Sequence, residues 1–315
     1  MKLALLFLCA ASLLIKPGKG NGSFCYDEED CGPKSWEDTC NKGRSQSPIN
    51  INSNHKILSK ARKAQLYYSR DYCQNQDFIL QNNGHTIQAS VRADLTSTSY
   101  LQGGKDNLAN KRYVFSQLHF HWGSNKDHGT EHTFNNKSYA MEGHFVHYSS
   151  EFNSFTEAVD SNEPNAVVVV GVVYALSNED NPAFTPVLKA MSKLKKAGDS
   201  TTGTKLNLVE LLPDQERFYN FQYNGSLTTP GCAEVVLWNV IGNRGRISQT
   251  QLQQFQLELD GHSKILQDNV RPAQSLNNRE IRVYDTQITL SQNSHPGRGN
   301  GGILFPRRKN QGWRG

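Results

Sequence analysis

Three histidines raise the first chemical question. Gln117-Leu118-His119-Phe120-His121-Trp122-Gly123 and Met141-Glu142-Gly143-His144-Phe145-Val146-His147 both read as strands, separated by a polar segment rich in Gly and Asn. Side chains alternate faces along a strand. Gln117, His119 and His121 therefore share one face, Leu118, Phe120 and Trp122 the other, and Glu142, His144 and Val146 share a face of the second strand. Paired as neighbours, the strands bring His119, His121 and His144 together. Three imidazoles plus one open position are the ligand set of catalytic zinc. A lone strand histidine is more often a hydrogen-bonded structural residue; the third histidine beside a same-face carboxylate is what favours a metal. Ligating histidines donate their second N–H to an outer partner, and Gln117 and Glu142 are spaced to accept it.

The elements that must hold these residues read as mainly β (α+β). Short alternating runs such as Ile87–Val91, and the apolar run Ala166–Val173, are bounded by Asn, Gly, Pro and Ser clusters. The continuous valines suit a central strand buried on both faces. Helical periodicity is sparse, with Pro186–Ala197 and Ile247–Leu259 the best segments. No internal repeat is visible. A single domain over residues 21–293 fits, with a central, mostly antiparallel twisted sheet and short peripheral helices.

The ends differ in kind. Residues 1–20 carry Lys2, an apolar run from Leu3 to Ile15, then Lys16-Pro17-Gly18-Lys19-Gly20. This pattern is that of a secretory signal peptide, too short to span a membrane, with Gly18 and Gly20 small enough for the cleavage site. Residues 294–315 hold Arg298, Arg307, Arg308, Lys309 and Arg314, no acid and many glycines, as a flexible basic tail does. Removing three leader lysines and five tail cations turns the net charge from +5 to −3, so the basic balance comes from the ends. Nucleic-acid binding gains no support, and the tail either is simply solvated or binds an acidic extracellular partner. No apolar C-terminal segment signals a membrane anchor. In a secreted protein Asn136-Lys137-Ser138, Asn224-Gly225-Ser226 and Asn21-Gly22-Ser23 are candidate glycosylation sites.

Five motifs resemble the alpha-class carbonic anhydrases of the secreted type, in that family's order and spacing. They are Gln46-Ser47-Pro48-Ile49-Asn50-Ile51, Asn82-Asn83-Gly84-His85, Gln117–Gly123, Ser226-Leu227-Thr228-Thr229-Pro230 and Asp268-Asn269-Val270-Arg271-Pro272. The resemblance implies a ten-stranded twisted sheet with zinc (Zn2+) in a cone-shaped cleft. It implies reversible hydration of carbon dioxide, by water, to bicarbonate and a proton, through a zinc-bound hydroxide, which would make the protein a carbonate dehydratase, a zinc lyase. Thr228 would accept the hydroxide's hydrogen bond and Glu131 would accept from Thr228, so that together they orient the nucleophile. The uncharged substrate needs an apolar wall, which the family match assigns to Val146, Val169, Leu227, Val236 and Trp238, with Thr229 lining the same cleft. His85 matches the family's proton shuttle, and Asn83 and Gln88 line the water network.

The same resemblance suggests that Cys40 pairs with Cys232, tying the N-terminal region to the Leu227–Pro230 loop. Cys25 with Cys31 would be a second, local bond in an oxidising compartment, leaving Cys73 free or intermolecular. The other functional class is a non-catalytic carbonic-anhydrase-like extracellular binding or matrix protein. Members of that kind typically lack one or more zinc histidines, whereas this chain has all three.

Overall fold

The computed structural model describes residues 24–290 apart from 38, 53–56, 60–65, 93–96, 104–107, 109–110 and 214–216. The leader, the basic tail and Asn21 therefore lie outside the described residues. The strands are β1 (Asn50–Ile51), β2 (Ile57–Ser59), β3 (Leu66–Tyr68), β4 (Gln76–Asn82), β5 (Ile87–Ser90), β6 (Tyr100–Gly103) and β7 (Arg112–Trp122). They continue with β8 (Thr133–Phe134), β9 (Met141–Ser149), β10 (Val167–Ser177), β11 (Ser200–Leu206), β12 (Arg217–Gly225), β13 (Val236–Ser248) and β14 (Ile281–Leu290). The helices are short: α1 (Thr39–Lys42), α2 (Phe155–Asp160), α3 (Thr185–Met191) and α4 (Gln249–Phe255).

Twelve strands form one sheet in the order β11-β4-β5-β7-β6-β3-β14-β12-β13-β10-β9, with β2 beside β14. That is two more strands than the resemblance implied. Because β7 is long enough to pair with β9 along one edge and with β5 and β6 along the other, the path returns on itself. Pairing in the sheet is antiparallel except for β10 with β13 and β14 with β2 and β3.

Strand β10 shows how the sequence divides the core. Its valines are buried on both sides: Val168, Val170 and Val172 face one apolar cluster, while Val167 and Val169 face another. The first cluster packs under α3 and α4 through Phe184, Val187, Leu252 and Phe255. The second, with Val146, Val236, Val240 and Trp238, lies on the histidine side.

The helices are shorter than their periodicity predicts. In α4 the start is set by a capping box, with the Ser248 hydroxyl accepting from Gln251 N–H and the Gln251 side chain accepting from Ser248 N–H, so Ile247 remains in β13. In α3 the helix ends at Met191, short of Ala197, and Lys193 and Leu194 turn back on Ala190 and Met191 carbonyls. Two disulfides are formed, Cys25–Cys31 and Cys40–Cys232, and Cys73 is a half-buried free thiol whose proton affinity burial pushes up to about 11. Among the described residues no helix is long and apolar enough to cross a membrane.

Candidate metal centre

The register of β7 against β9 builds the site. His119 lies opposite His144, His121 opposite Glu142 and Gln117 opposite Val146. His121 Nε2 and His119 Nε2 lie 3.1 and 3.2 Å from His144 Nδ1. Every other ring nitrogen of the three is committed outward. His119 Nδ1–H donates to Gln117 Oε1 at 2.8 Å, His121 Nδ1–H to the Asn269 carbonyl at 2.6 Å, and His144 Nε2–H to Glu142 Oε1 at 2.9 Å. Those acceptors fix the tautomers, so the three converging nitrogens carry lone pairs. Lone pairs this close repel unless a cation lies between them. A tetrahedral ion bound at about 2.0–2.1 Å holds its nitrogen ligands roughly 3.3 Å apart, so the donor set fits zinc.

Electrostatics favour the unprotonated forms of His119 and His121. Burial, then the neighbouring His144 and His121, holds His119 well below the usual imidazole range, and burial likewise lowers His121 against the opposing pull of Glu131. Burial alone would raise the Glu142 carboxyl, but the His132 and His144 imidazoles outweigh it and hold the group well below the usual carboxylate range. An ionised Glu142 is therefore a strong acceptor for His144. Gly171, opposite His144 in β10, leaves room for it: a Cβ there would stand 3.1 Å from Glu142 Oε1.

Glu142 opens a longer chain. It accepts His132 N–H at 2.8 Å and His132 Nδ1–H at 2.7 Å; His132 Nε2 meets Tyr223 OH at 2.7 Å, which donates to Ser47 Oγ at 2.9 Å. Ser47 and Ser226 exchange hydrogen bonds of 2.9 and 3.0 Å. The chain thus runs from His144 to the start of the Ser226–Pro230 loop. That loop is also tied by Leu227 N–H to Ala233 O, by Trp238 Nε1–H to Ser226 O, and by the Cys40–Cys232 disulfide. His132, Tyr223, Ser47 and Asn269 had no assigned role in the sequence reading, although three of them stand in or beside the motifs it singled out.

Among the sequence-selected residues, Glu131 and Thr228 are both buried. The hydrogen bond expected between them is not formed here. Glu131 Oε1 accepts Arg271 N–H at 2.9 Å, while Oε2 has no partner and lies 3.6 Å from His121 Nε2 and 3.9 Å from His144 Nδ1. Arg271 is itself held by the Ser47 and Cys40 carbonyls. Val146, Val169 and Trp238 form one row across β9, β10 and β13, Val236 lies opposite Val167, and Leu227 packs on the same cluster. Thr229 is half-buried in the loop. His85 stacks on Phe24, ring centroids 3.8 Å apart, and burial pushes it down to about 4. Gln88 lies opposite His119, and Asn83 is exposed in the turn before His85. Asn136 and Asn224 are exposed.

The chain belongs to the eukaryotic-type carbonic anhydrase family, whose family model matches residues 31–285. It is 33% identical to mouse carbonic anhydrase 15 over 273 residues, covering 83% of each chain. It is 31% identical to rat carbonic anhydrase 4 over 288 residues, covering 88% of this chain and 89% of that one. Human carbonic anhydrase 12 is 32% identical over 281 residues, 87% of this chain and 75% of its own.

Proposed function

We propose that the protein is an active, secreted zinc enzyme that interconverts carbon dioxide and bicarbonate. The observation that carries this reading is the convergence of three lone-pair nitrogens whose opposite ring nitrogens are each committed to an acceptor. His119, His121 and His144 would hold the zinc. A zinc ion held by three neutral ligands supplies a Lewis acid that lowers the pKa of bound water to about 7, a value for which carbonic anhydrase is the reference case.

The chain's own residues do the rest. Although the bond is not formed in this structure, Glu131 Oε2 is a buried acceptor with no partner, and a Thr228 hydroxyl that donated to it would have only lone pairs to offer the nucleophile. Val146, Val169, Val236, Trp238 and Leu227 give an uncharged substrate a dry wall. His85 takes the released proton toward the cleft mouth. The two disulfides suit an oxidising compartment, and exposed Asn136 and Asn224 could carry glycans there.

The deciding experiment is stopped-flow carbon dioxide hydration on the purified protein before chelation, after chelation and after zinc return. Loss and recovery with one zinc per chain is the expected result. Full zinc occupancy without hydration would favour a non-catalytic binding protein instead.

A further inference from the structure

A second histidine lies close to His85. Gly261 N–H donates to Gly84 O at 3.3 Å, and a Cβ on Gly84 would meet the Gly261 backbone at 3.2 Å, so the two backbones touch. His85 follows the first glycine and His262 the second. Asp260 Oδ1 accepts the backbone N–H groups of both His262 and Lys264 at 2.8 Å, which closes the turn that presents His262. From the N-terminal side, the loop closed by Cys25–Cys31 brings Phe24 onto the His85 ring and Glu28 into an ion pair with Lys264. The charged groups around the pair are thus Asp260 and Lys264 on the turn itself, and Glu28 and Asp27 on the N-terminal loop. His85 is half-buried under Phe24, whereas His262 is exposed. His85 also senses Asp260 and His262 electrostatically, the first favouring its proton and the second opposing it.

We infer that His262 is the outer station of the proton path. A proton on the covered His85 ring moves to the His262 imidazole, and from there to a buffer base in solution, with the carboxyl groups of Asp260 and Glu28 close by on the turn and the N-terminal loop. Each ring offers a lone-pair nitrogen that can take a proton and, once protonated, an N–H that can pass it on. This inference rests on the proposed activity.

The test is steady-state carbon dioxide hydration by the zinc-loaded, full-length protein at neutral pH, in dilute and in concentrated buffer. His262→Gln should lower kcat in dilute buffer by about three- to tenfold, less than the roughly hundredfold or more of a group acting directly on the reaction. The loss should fall on kcat and not on kcat/KM, because proton export follows the chemical step, and added imidazole should restore it. In a His85→Ala background the same substitution should change nothing further. An unchanged kcat in dilute buffer overturns the relay. Equal losses in kcat and kcat/KM also overturn it, since they mark a packing role, and so does an equal further loss on top of His85→Ala. Hydration in concentrated buffer separates the two ideas: its absence defeats the enzyme reading, whereas a normal rate there with no effect of His262→Gln in dilute buffer defeats only the relay.

Discussion

His144 and His147 stand three residues apart on β9, and both are buried. An odd spacing sends them to opposite faces of the sheet. His144 meets two other imidazoles and an ionised carboxylate. His147 packs with Tyr72 and Phe115, and its Nε2 pairs with the Tyr72 hydroxyl while Nδ1 has no partner. Burial pushes His147 down to about 3, so it stays neutral, and its ring meets a tyrosine hydroxyl where His144 meets other imidazoles. On the histidine face, polar groups are linked from His144 to the Ser226 loop. On the back face they stop short. Asn239 Oδ1 accepts from Asn220 and Gln222 at 2.8 and 3.0 Å, but the Asn220 and Gln222 carbonyl oxygens are buried without partners. What separates the two histidines is what their second nitrogens are committed to, not their burial.

The largest expected effect separates these two residues directly. His144→Ala should abolish zinc binding and with it carbon dioxide hydration. His147→Phe should keep one zinc per chain and cost about 1–3 kcal/mol of stability through the stranded Tyr72 hydroxyl. Metal analysis and denaturant melts on both variants read this out. Zinc loss from His147→Phe as complete as from His144→Ala would erase the distinction between the faces.

A smaller effect tests the outward partners. Gln117→Leu and Glu142→Gln should each weaken zinc by about 10- to 100-fold. Glu142→Gln should fall at the upper end, because the same carboxylate also holds both donors of His132. Competition with a calibrated chelator gives the affinities. Equal affinities for wild type and Gln117→Leu would mean that the 2.8 Å contact does not set the ligand's orientation.

The face that gathers the three histidines was legible because its signal is periodic: Gln117, His119, His121, Glu142 and His144 obey the two-residue repeat. The same repeat separated His147 from them. Five motifs in family order supplied the loop of Thr228 and the Cys40–Cys232 link, which no local pattern contains. What stayed hidden depends on contacts between distant segments. The Asn269 carbonyl that orients His121 is a backbone atom 148 positions away, and a backbone acceptor leaves no residue-type signature. The Tyr223–Ser47 contact, 176 positions apart, is hidden for the same reason of distance. The return of the sheet through β7 could not be read either, since it depends on one strand being shared by three others.

The back-face histidine also gives a pH signature. An unfolded imidazole binds a proton near pH 6.5, whereas native His147 refuses it until about pH 3. Between those values the unfolded state holds one more proton, so stability falls as pH falls, by roughly 1.4 kcal/mol per unit from this group. The zinc-free forms of wild type and His147→Phe, melted from pH 7 to pH 4, should differ by about that slope below pH 6. His119, His121 and His144 are common to both proteins, so whatever they contribute cancels in the comparison. Parallel curves would show that His147 takes its proton in the native state through some rearrangement around Tyr72.

The smallest effect is expected where the back face is least connected. Asn239→Leu alone removes the acceptor shared by Asn220 and Gln222 and leaves both amide donors stranded, at a cost of about 1–3 kcal/mol. Replacing all three residues with leucine removes the donors, the acceptor and the two orphan carbonyls together. Exchanging a hydrogen-bonded set for apolar groups of similar shape is close to neutral, so the triple variant should melt within about 1 kcal/mol of wild type while zinc content and hydration stay unchanged. The corresponding break on the other face, Glu142→Gln, should change zinc affinity in the same assay. If the triple variant instead lost zinc, the two faces would be coupled through β13, where Asn239 directly follows Trp238 on the histidine side, and the separation between a connected working face and a merely packed one would fail.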